Sequence, residues 1–181
     1  MRLFTAIDLP DNIKDYLFEI ENKFSGNKAA KIKWVFRKNL HLTIKFFGEV
    51  PDDRTQGLME KLENVKFKKF ELKLADFGFY SSHGKIDVMW AGVEPAEKVV
   101  ELQKLADAET MDFGSLKTGA HIALGRVKFV KNKEEFARFV KDVNGFKIEK
   151  FSFNVNGFCL FRSILRKDGP EYNILKSYEL G

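Results

Sequence analysis

Two of the three histidines in this chain stand in look-alike settings. One lies in Asn39-Leu40-His41-Leu42-Thr43-Ile44-Lys45-Phe46-Phe47-Gly48, the other in Ala120-His121-Ile122-Ala123-Leu124-Gly125-Arg126. In each, a small residue follows the histidine by two positions and apolar residues flank it, the period-two pattern of a half-buried strand. His41 and Thr43 should therefore share one face, with Leu42, Ile44 and Phe46 turned to the core, and His121 should share a face with Ala123. Histidine titrates near neutral pH, so two imidazoles looking into one groove make an acid and base pair. The same parity puts Lys45 and Phe47 on the His41 face. There the ammonium could touch a phosphate and the ring could stack a base; a solvated strand-end lysine and a core phenylalanine are the plainer readings.

The rest of the composition narrows the class. Thirty-one Lys plus Arg against 26 Asp plus Glu give a net charge of +5 and a pI near 9.1. That is a mild attraction for polyanions such as RNA, and no more than that. The clusters Lys66-Phe67-Lys68-Lys69-Phe70 and Lys128-Phe129-Val130-Lys131-Asn132-Lys133 read as amphipathic strands with a solvated face. No apolar run is long enough to cross a bilayer, and the opening Met1 to Asp8 turns acidic too soon for a secretory signal, so a cytoplasmic protein is expected. The single cysteine, Cys159, allows no internal disulfide.

The elements that must carry the histidines alternate along the chain without a linker. A first strand at Met1 to Asp8 is followed by a helix opened by Pro10, with Ile13, Tyr16, Leu17, Ile20 and Phe24 on its apolar stripe. A short strand at Ile32 to Phe36 leads into the first histidine strand. Asp52 or Asp53 can cap a second helix bearing Leu58, Met59, Leu62 and Val65. Phe70 to Tyr80 and Ile86 to Val93 form a hairpin across Ser81-Ser82-His83-Gly84. Pro95 starts a third helix with Val99, Leu102, Leu105 and Ala106 buried, and a fourth carries Phe136, Phe139, Val140 and Val143. The final segment reads as strands broken at Asn156-Gly157 and Asp168-Gly169-Pro170. This is an α+β pattern. The 80-residue spacing of the histidine strands points to one domain, residues 1–181, made of two similar lobes with antiparallel sheets facing a central cleft and helices outside.

Together, Phe4-x-Ala6-Ile7, Leu40-His41-Leu42-Thr43-Ile44-Lys45-Phe46-Phe47-Gly48, Trp90-Ala91-Gly92-Val93, His121-x-x-Leu124-Gly125-Arg126 and Ser163-x-Leu165-x-x-x-Gly169-Pro170-x-Tyr172 resemble the RNA 2',3'-cyclic phosphodiesterases, also called 2'-5' RNA ligases. These are two-histidine (2H) phosphoesterases. The resemblance spans essentially the whole chain, keeps the motifs in family order and is nearest to archaeal members. It implies a bilobal fold, no metal, no cofactor, and water attack on a terminal 2',3'-cyclic phosphate to leave a 2'-phosphate, with weak reverse 2'-5' ligation. It also implies His41 as the acid for the departing 3' oxygen, His121 as the base for water, and Thr43 and Arg126 as phosphate-binding residues. The partners implied are RNA or nucleotide ends, with no membrane and with the chain a monomer.

Strict alternation from His121 turns Arg126 to the wrong face, so reaching phosphate needs a twist or bulge, which Gly125 could permit. Ala123 departs from the family pattern, which has threonine or serine there. One lost charge-assisted hydrogen bond, on the order of 1.5–3 kcal/mol, corresponds to roughly tenfold to a hundredfold in rate. Ala123 also supports an alternative, an RNA-end or nucleotide-binding module with reduced or lost catalysis. A third reading, zinc held by His41, His121 and His83, is opposed by strand geometry, by the turn position of His83 and by the lack of a carboxylate partner. Trp90, Ser163 and Tyr172 read as packing and lobe-locking residues.

Overall fold

The computed structural model describes residues 1–82, 84–114 and 116–181. In chain order the elements are β1 (Arg2–Asp8), α1 (Asp11–Ser25), β2 (Ala30–Trp34), β3 (His41–Glu49), α2 (Asp52–Glu63), β4 (Phe70–Ser82), β5 (Lys85–Glu94), α3 (Ala96–Glu109), β6 (His121–Val130), α4 (Lys133–Asn144), β7 (Ser152–Val155), β8 (Gly157–Leu165) and β9 (Pro170–Glu179). A single 3₁₀ turn, Arg37–Asn39, precedes β3. The fold is α+β: all strand pairs are antiparallel, and the helices supply their apolar stripes to one main core. Ile13, Leu17 and Ile20 of α1, Leu58 and Leu62 of α2, Val99 and Ala106 of α3, and Phe136 and Val143 of α4 all meet inward strand residues there. The α1 and α2 helices start after Pro10 and Pro51 without a side-chain cap, so Asp52 and Asp53 lie in the first turn, where their charge suits the helix dipole. Asn132 does cap α4, accepting from Glu134 and Glu135.

The strands run β7-β4-β5-β6-β3-β1-β8-β9, and β2 also pairs with β6. This order forks at its centre. The two histidine strands β3 and β6 touch through one register pair, Leu42 with Ile122. Beyond it β3 diverges, and β2 takes over the vacated edge of β6 from Gly125 to Val130. An apolar strand edge left bare there would waste its backbone donors and acceptors. The strands therefore do not divide by sequence halves: β2 crosses to the second histidine strand, while β8 and β9 return to flank β1. A second, small apolar cluster of Phe4, Ala6 and Phe161, with Cys159 and Tyr172 against it, lies on the face of the sheet away from the main core. That is the face His41 shares.

Candidate active site

Both histidine strands carry one extra residue just past their motif. Along β3 the register with β1 passes from Ala6 opposite Thr43 to Thr5 opposite Lys45, so Ile44 is unmatched. Along β6 the register with β5 passes from Trp90 opposite Ala123 to Met89 opposite Gly125, so Leu124 is unmatched. Each is a bulge, which inverts the alternation downstream. The two strands consequently show the same order: half-buried histidine, buried residue, half-buried residue, two successive buried residues, then an exposed one. The bulge returns Arg126 to the His121 face. It also demands a glycine before it, because a Cβ at Gly125 would meet Ile32 at 2.8 Å and Trp34 at 3.2 Å.

The same bulge overturns the parity expected for Lys45 and Phe47. Lys45 points into the core, with no side-chain exposure, and its ammonium lies 2.7 Å from Asp107 Oδ1 and donates to the Thr110 carbonyl at 2.9 Å and hydroxyl at 3.1 Å. Phe47 is also buried, at 5% exposure, whereas Phe46 stands 55% exposed on the His41 face. Phe46 pairs with Phe4 in register, their rings 5.7 Å apart. Any stacking contribution from β3 thus falls to Phe46 in place of Phe47.

The two imidazoles occupy one face. Leu42 lies opposite Ile122, so their neighbours His41 and Thr43 on β3 and His121 and Ala123 on β6 turn to the other face of the sheet. The two histidines therefore face the same groove, across the one register pair that joins their strands, and His41 feels the charge of His121. His41 is held at both nitrogens: Nδ1–H donates to the Asn39 carbonyl at 2.7 Å, and Nε2 is 3.1 Å from the Thr43 hydroxyl. A carbonyl only accepts, so the Nδ1 proton is fixed and Nε2 is the atom free to exchange protons. Asn39 is itself anchored, its side-chain amide donating to the Pro170 carbonyl at 2.7 Å. Phe4 lies 5.0 Å from the His41 ring and Tyr172 meets it edge-on at 5.4 Å.

His121 has a parallel setting. The Gly119 backbone, two residues before it, supports its protonated form, and Tyr80 stands edge-on at 4.8 Å with its hydroxyl 3.3 Å from Nδ1. Ala123 offers no hydrogen bond where β3 has Thr43. Gln103, 1% exposed on α3, ties the two strands: its amide donates to the carbonyls of Thr43 at 3.0 Å and Gly119 at 2.9 Å and accepts from Gly119 N–H at 3.0 Å.

Desolvation holds both histidines below the usual imidazole value. For His41 the Asn39 carbonyl and Asp8 oppose that shift, while Lys14 and His121 add to it. For His121 the Arg126 charge adds to it and Gly119 opposes it. Arg126 also acts on Tyr172, the neighbour of His41, so its guanidinium field reaches both sides of the groove.

Thus His41, Thr43, His121 and Arg126 come together, Lys45 and Phe47 do not, and Phe46, Tyr80, Asn39, Gly119 and Gln103 join. Gln103 had a sequence signal, since Val99, Leu102, Gln103 and Ala106 make a helical stripe; Leu105, expected inside, is 40% exposed. Trp90 pairs across from Ala123 with its indole over Gly78, and Ser163 pairs with Tyr172. His83 lies outside the described residues. Among the described residues no group of three His, Cys, Asp or Glu side chains could hold a metal ion, and no helix is long and apolar enough to cross a membrane.

The sequence pattern of the family described as LigT like phosphoesterase matches residues 7–90 and 93–172. The RNA 2',3'-cyclic phosphodiesterase of Methanocaldococcus jannaschii is 32% identical, over 98% of this chain and all of its own. That of Archaeoglobus fulgidus is 33% identical, over 99% of this chain and all of its own. The crystal structure of E. coli LigT complexed with phosphate superposes with a TM-score of 0.74 at 26% identity, covering 99% of this chain and 96% of that one.

Proposed function

The chain belongs to the LigT-like phosphoesterases, and from that premise we propose that it is an RNA 2',3'-cyclic phosphodiesterase, opening a terminal 2',3'-cyclic phosphate to a 2'-phosphate. The relatives that match it end to end bear that activity in their names, and the solved E. coli relative holds phosphate. The observation that supports the reading is that the two imidazoles lie on strands joined by the Leu42–Ile122 pair, each with Nδ1 engaged by a neighbouring group, the Asn39 carbonyl for His41 and the Tyr80 hydroxyl for His121.

In this reaction a water oxygen bonds to phosphorus as the bond from phosphorus to the 3' oxygen breaks. His121 takes the water proton at Nε2, and His41, entering protonated, gives its Nε2 proton to the 3' oxygen. The net result is one water consumed and the two rings left in exchanged protonation states, reset through solvent. The Thr43 hydroxyl donates to a non-bridging oxygen. Arg126 offsets the charge that accumulates as the pentavalent phosphorus forms. Phe46, exposed on the same face, offers its ring to the terminal base. Burial sharpens these contacts by lowering the local dielectric. With a 5' hydroxyl in place of water, the same groups open the cyclic phosphate to a 2'-5' bond: the 5' oxygen gives up its proton and bonds to phosphorus as the bond to the 3' oxygen breaks and that oxygen is protonated.

Nucleoside 2',3'-cyclic monophosphates and a short RNA ending in a cyclic phosphate are the test substrates, with the 2' isomer as the product to be resolved. His41→Ala and His121→Ala should each cost on the order of 10²–10⁴-fold in kcat while leaving the fold intact. Turnover that persists near the parent rate in either folded variant overturns the two-histidine assignment. Formation of the 3' isomer overturns the assigned leaving oxygen, and activity lost on adding EDTA overturns catalysis by side chains alone.

A further inference from the structure

We propose that Tyr80 is the positioning residue that orients His121, in place of the second-motif hydroxyl that this chain lacks at Ala123. The inference rests on the role given to His121 above. His41 is gripped from both sides, by the Asn39 carbonyl at Nδ1 and the Thr43 hydroxyl at Nε2. Ala123, which holds on β6 the place of Thr43 on β3, presents only a methyl group, so among the described residues the Nε2 side of His121 has no such grip. An imidazole held at one nitrogen by a backbone carbonyl alone can rotate about χ2, and misaimed Nε2 lone pairs cost rate steeply.

Tyr80 supplies the missing constraint in two ways. Its hydroxyl lies 3.3 Å from His121 Nδ1, and its ring stands edge-on to the imidazole at 4.8 Å and 82°. Tyr80 is in turn fixed. It pairs with Val88, which pairs with Arg126, so it belongs to the groove face of the sheet. Its ring rests on Trp90 at 5.2 Å. The indole of Trp90 fills the space over Gly78, where a Cβ would come within 2.3 Å of it, and abuts Gly92. Gly119 leaves the remaining room: a Cβ there would approach Nδ1 to 3.0 Å and the Tyr80 oxygen to 3.7 Å. Three glycines, an indole and a phenol thus make a shelf whose outer edge is the His121 ring.

The chemistry suits the step. With Nδ1 protonated and Nε2 taking the proton from water, the Tyr80 oxygen is an acceptor beside the Gly119 carbonyl, and its bond tightens as the ring becomes cationic. Tyr80 gives up no proton; burial raises its pKa, so it stays a phenol throughout. Tyr172 meets His41 edge-on at 84° as Tyr80 meets His121 at 82°. Only Tyr80 adds a hydrogen bond among the described residues, and it does so at the histidine whose strand lacks the hydroxyl.

The experiment is a double-mutant cycle with Tyr80→Phe and Ala123→Thr, assayed for kcat and KM on a nucleoside 2',3'-cyclic monophosphate, together with the ¹⁵N spectrum of the His121 ring. Tyr80→Phe should lower kcat about tenfold with KM within about twofold. In the Ala123→Thr background the same change should cost less than about threefold. The His121 nitrogens should move from one dominant Nδ1–H tautomer toward an averaged pair in Tyr80→Phe, and return in the double variant. An unchanged kcat, an equal loss in both backgrounds, or a loss confined to KM overturns the inference. A parent protein inactive on mononucleotide and RNA alike overturns the hydrolysis reading, and the tautomer spectrum then still decides for or against Tyr80.

Discussion

Gln103 grips Gly119 by both of its backbone polar groups, accepting its N–H and donating to its carbonyl, and uses its remaining amide hydrogen on the carbonyl of Thr43. Gly119 precedes His121 by two residues and Thr43 follows His41 by two. A buried side chain on α3 therefore spans the seam where β3 and β6 keep a single register pair. Asn39 does similar work for His41 through Pro170.

Gln103→Leu, close in volume but without the amide, should leave three backbone groups short of partners. The expected loss is about 2–4 kcal/mol in urea unfolding. Beyond stability, kcat should fall at temperatures where the variant is fully folded, because the two imidazoles lose their shared reference. A variant that is destabilised yet keeps its parent kcat shows that Gln103 supports the fold without setting the spacing of the histidines.

The pH profile follows from burial. Both histidines are held below the usual 6.5, chiefly by desolvation. The one-protonated, one-neutral state needed for hydrolysis is most populated between their two apparent values. The optimum of kcat/KM should accordingly lie below pH 6.5. A bound phosphate anion favours imidazolium, so the optimum of kcat should sit at higher pH than that of kcat/KM. The sign for stability is separate. The folded state binds fewer protons than the unfolded one, so this contribution is present above pH 6.5 and is lost as pH falls through the folded values. A kcat/KM optimum above pH 7 contradicts the desolvated site.

Adjacent phenylalanines should behave oppositely. Phe47 is buried against the main core, and Phe47→Ala should cost about 3–5 kcal/mol of stability. Phe46 faces the groove, and Phe46→Ala should leave the melting temperature within a few degrees. Its KM for a nucleoside cyclic phosphate should rise about fivefold to a hundredfold, the range of one base stack. Equal stability losses at both positions would return Phe46 to a packing role.

What the sequence made legible is what obeys local rules. The α+β class, the helices opened by Pro10 and Pro95, the hairpin near Gly84 and the shared face of His41 and Thr43 all follow from periodicity and turn chemistry. Strict alternation ends at Ile44. A bulge is decided by the neighbouring strand's register, and nothing in Ile44-Lys45-Phe46-Phe47 announces that one residue will go unmatched against β1. From there Lys45 and Phe47 move inward and Phe46 outward. In β6 the same event was legible, because Gly125 and the need to turn Arg126 marked it. The crossing of β2 to β6 was not visible, since strand partners at long separation leave no local trace. Tyr80 and Gln103 gain their significance only from contacts across elements.

Glu21 offers a test away from the groove. It is 1% exposed on the inner side of α1, and among the described residues neither carboxylate oxygen has a hydrogen-bond partner. Burial without a compensating charge pushes its pKa up from 4.5 to about 9, so the folded protein keeps it as the neutral acid. The unfolded chain ionises it near 4.5. A group whose folded value is raised contributes fully below the unfolded value and loses that contribution as pH climbs toward the folded one. Each pH unit between them costs at most about 1.4 kcal/mol, which sets an upper bound of about 3.5 kcal/mol at pH 7. Glu21→Gln keeps the shape and removes the titration. The variant should match the parent near pH 4 and exceed it by a margin that widens from pH 5 to pH 8, read as the difference in unfolding free energy at each pH. A constant difference across that range would mean that Glu21 is ionised in the folded protein and has a charged partner that the buried setting of α1 conceals.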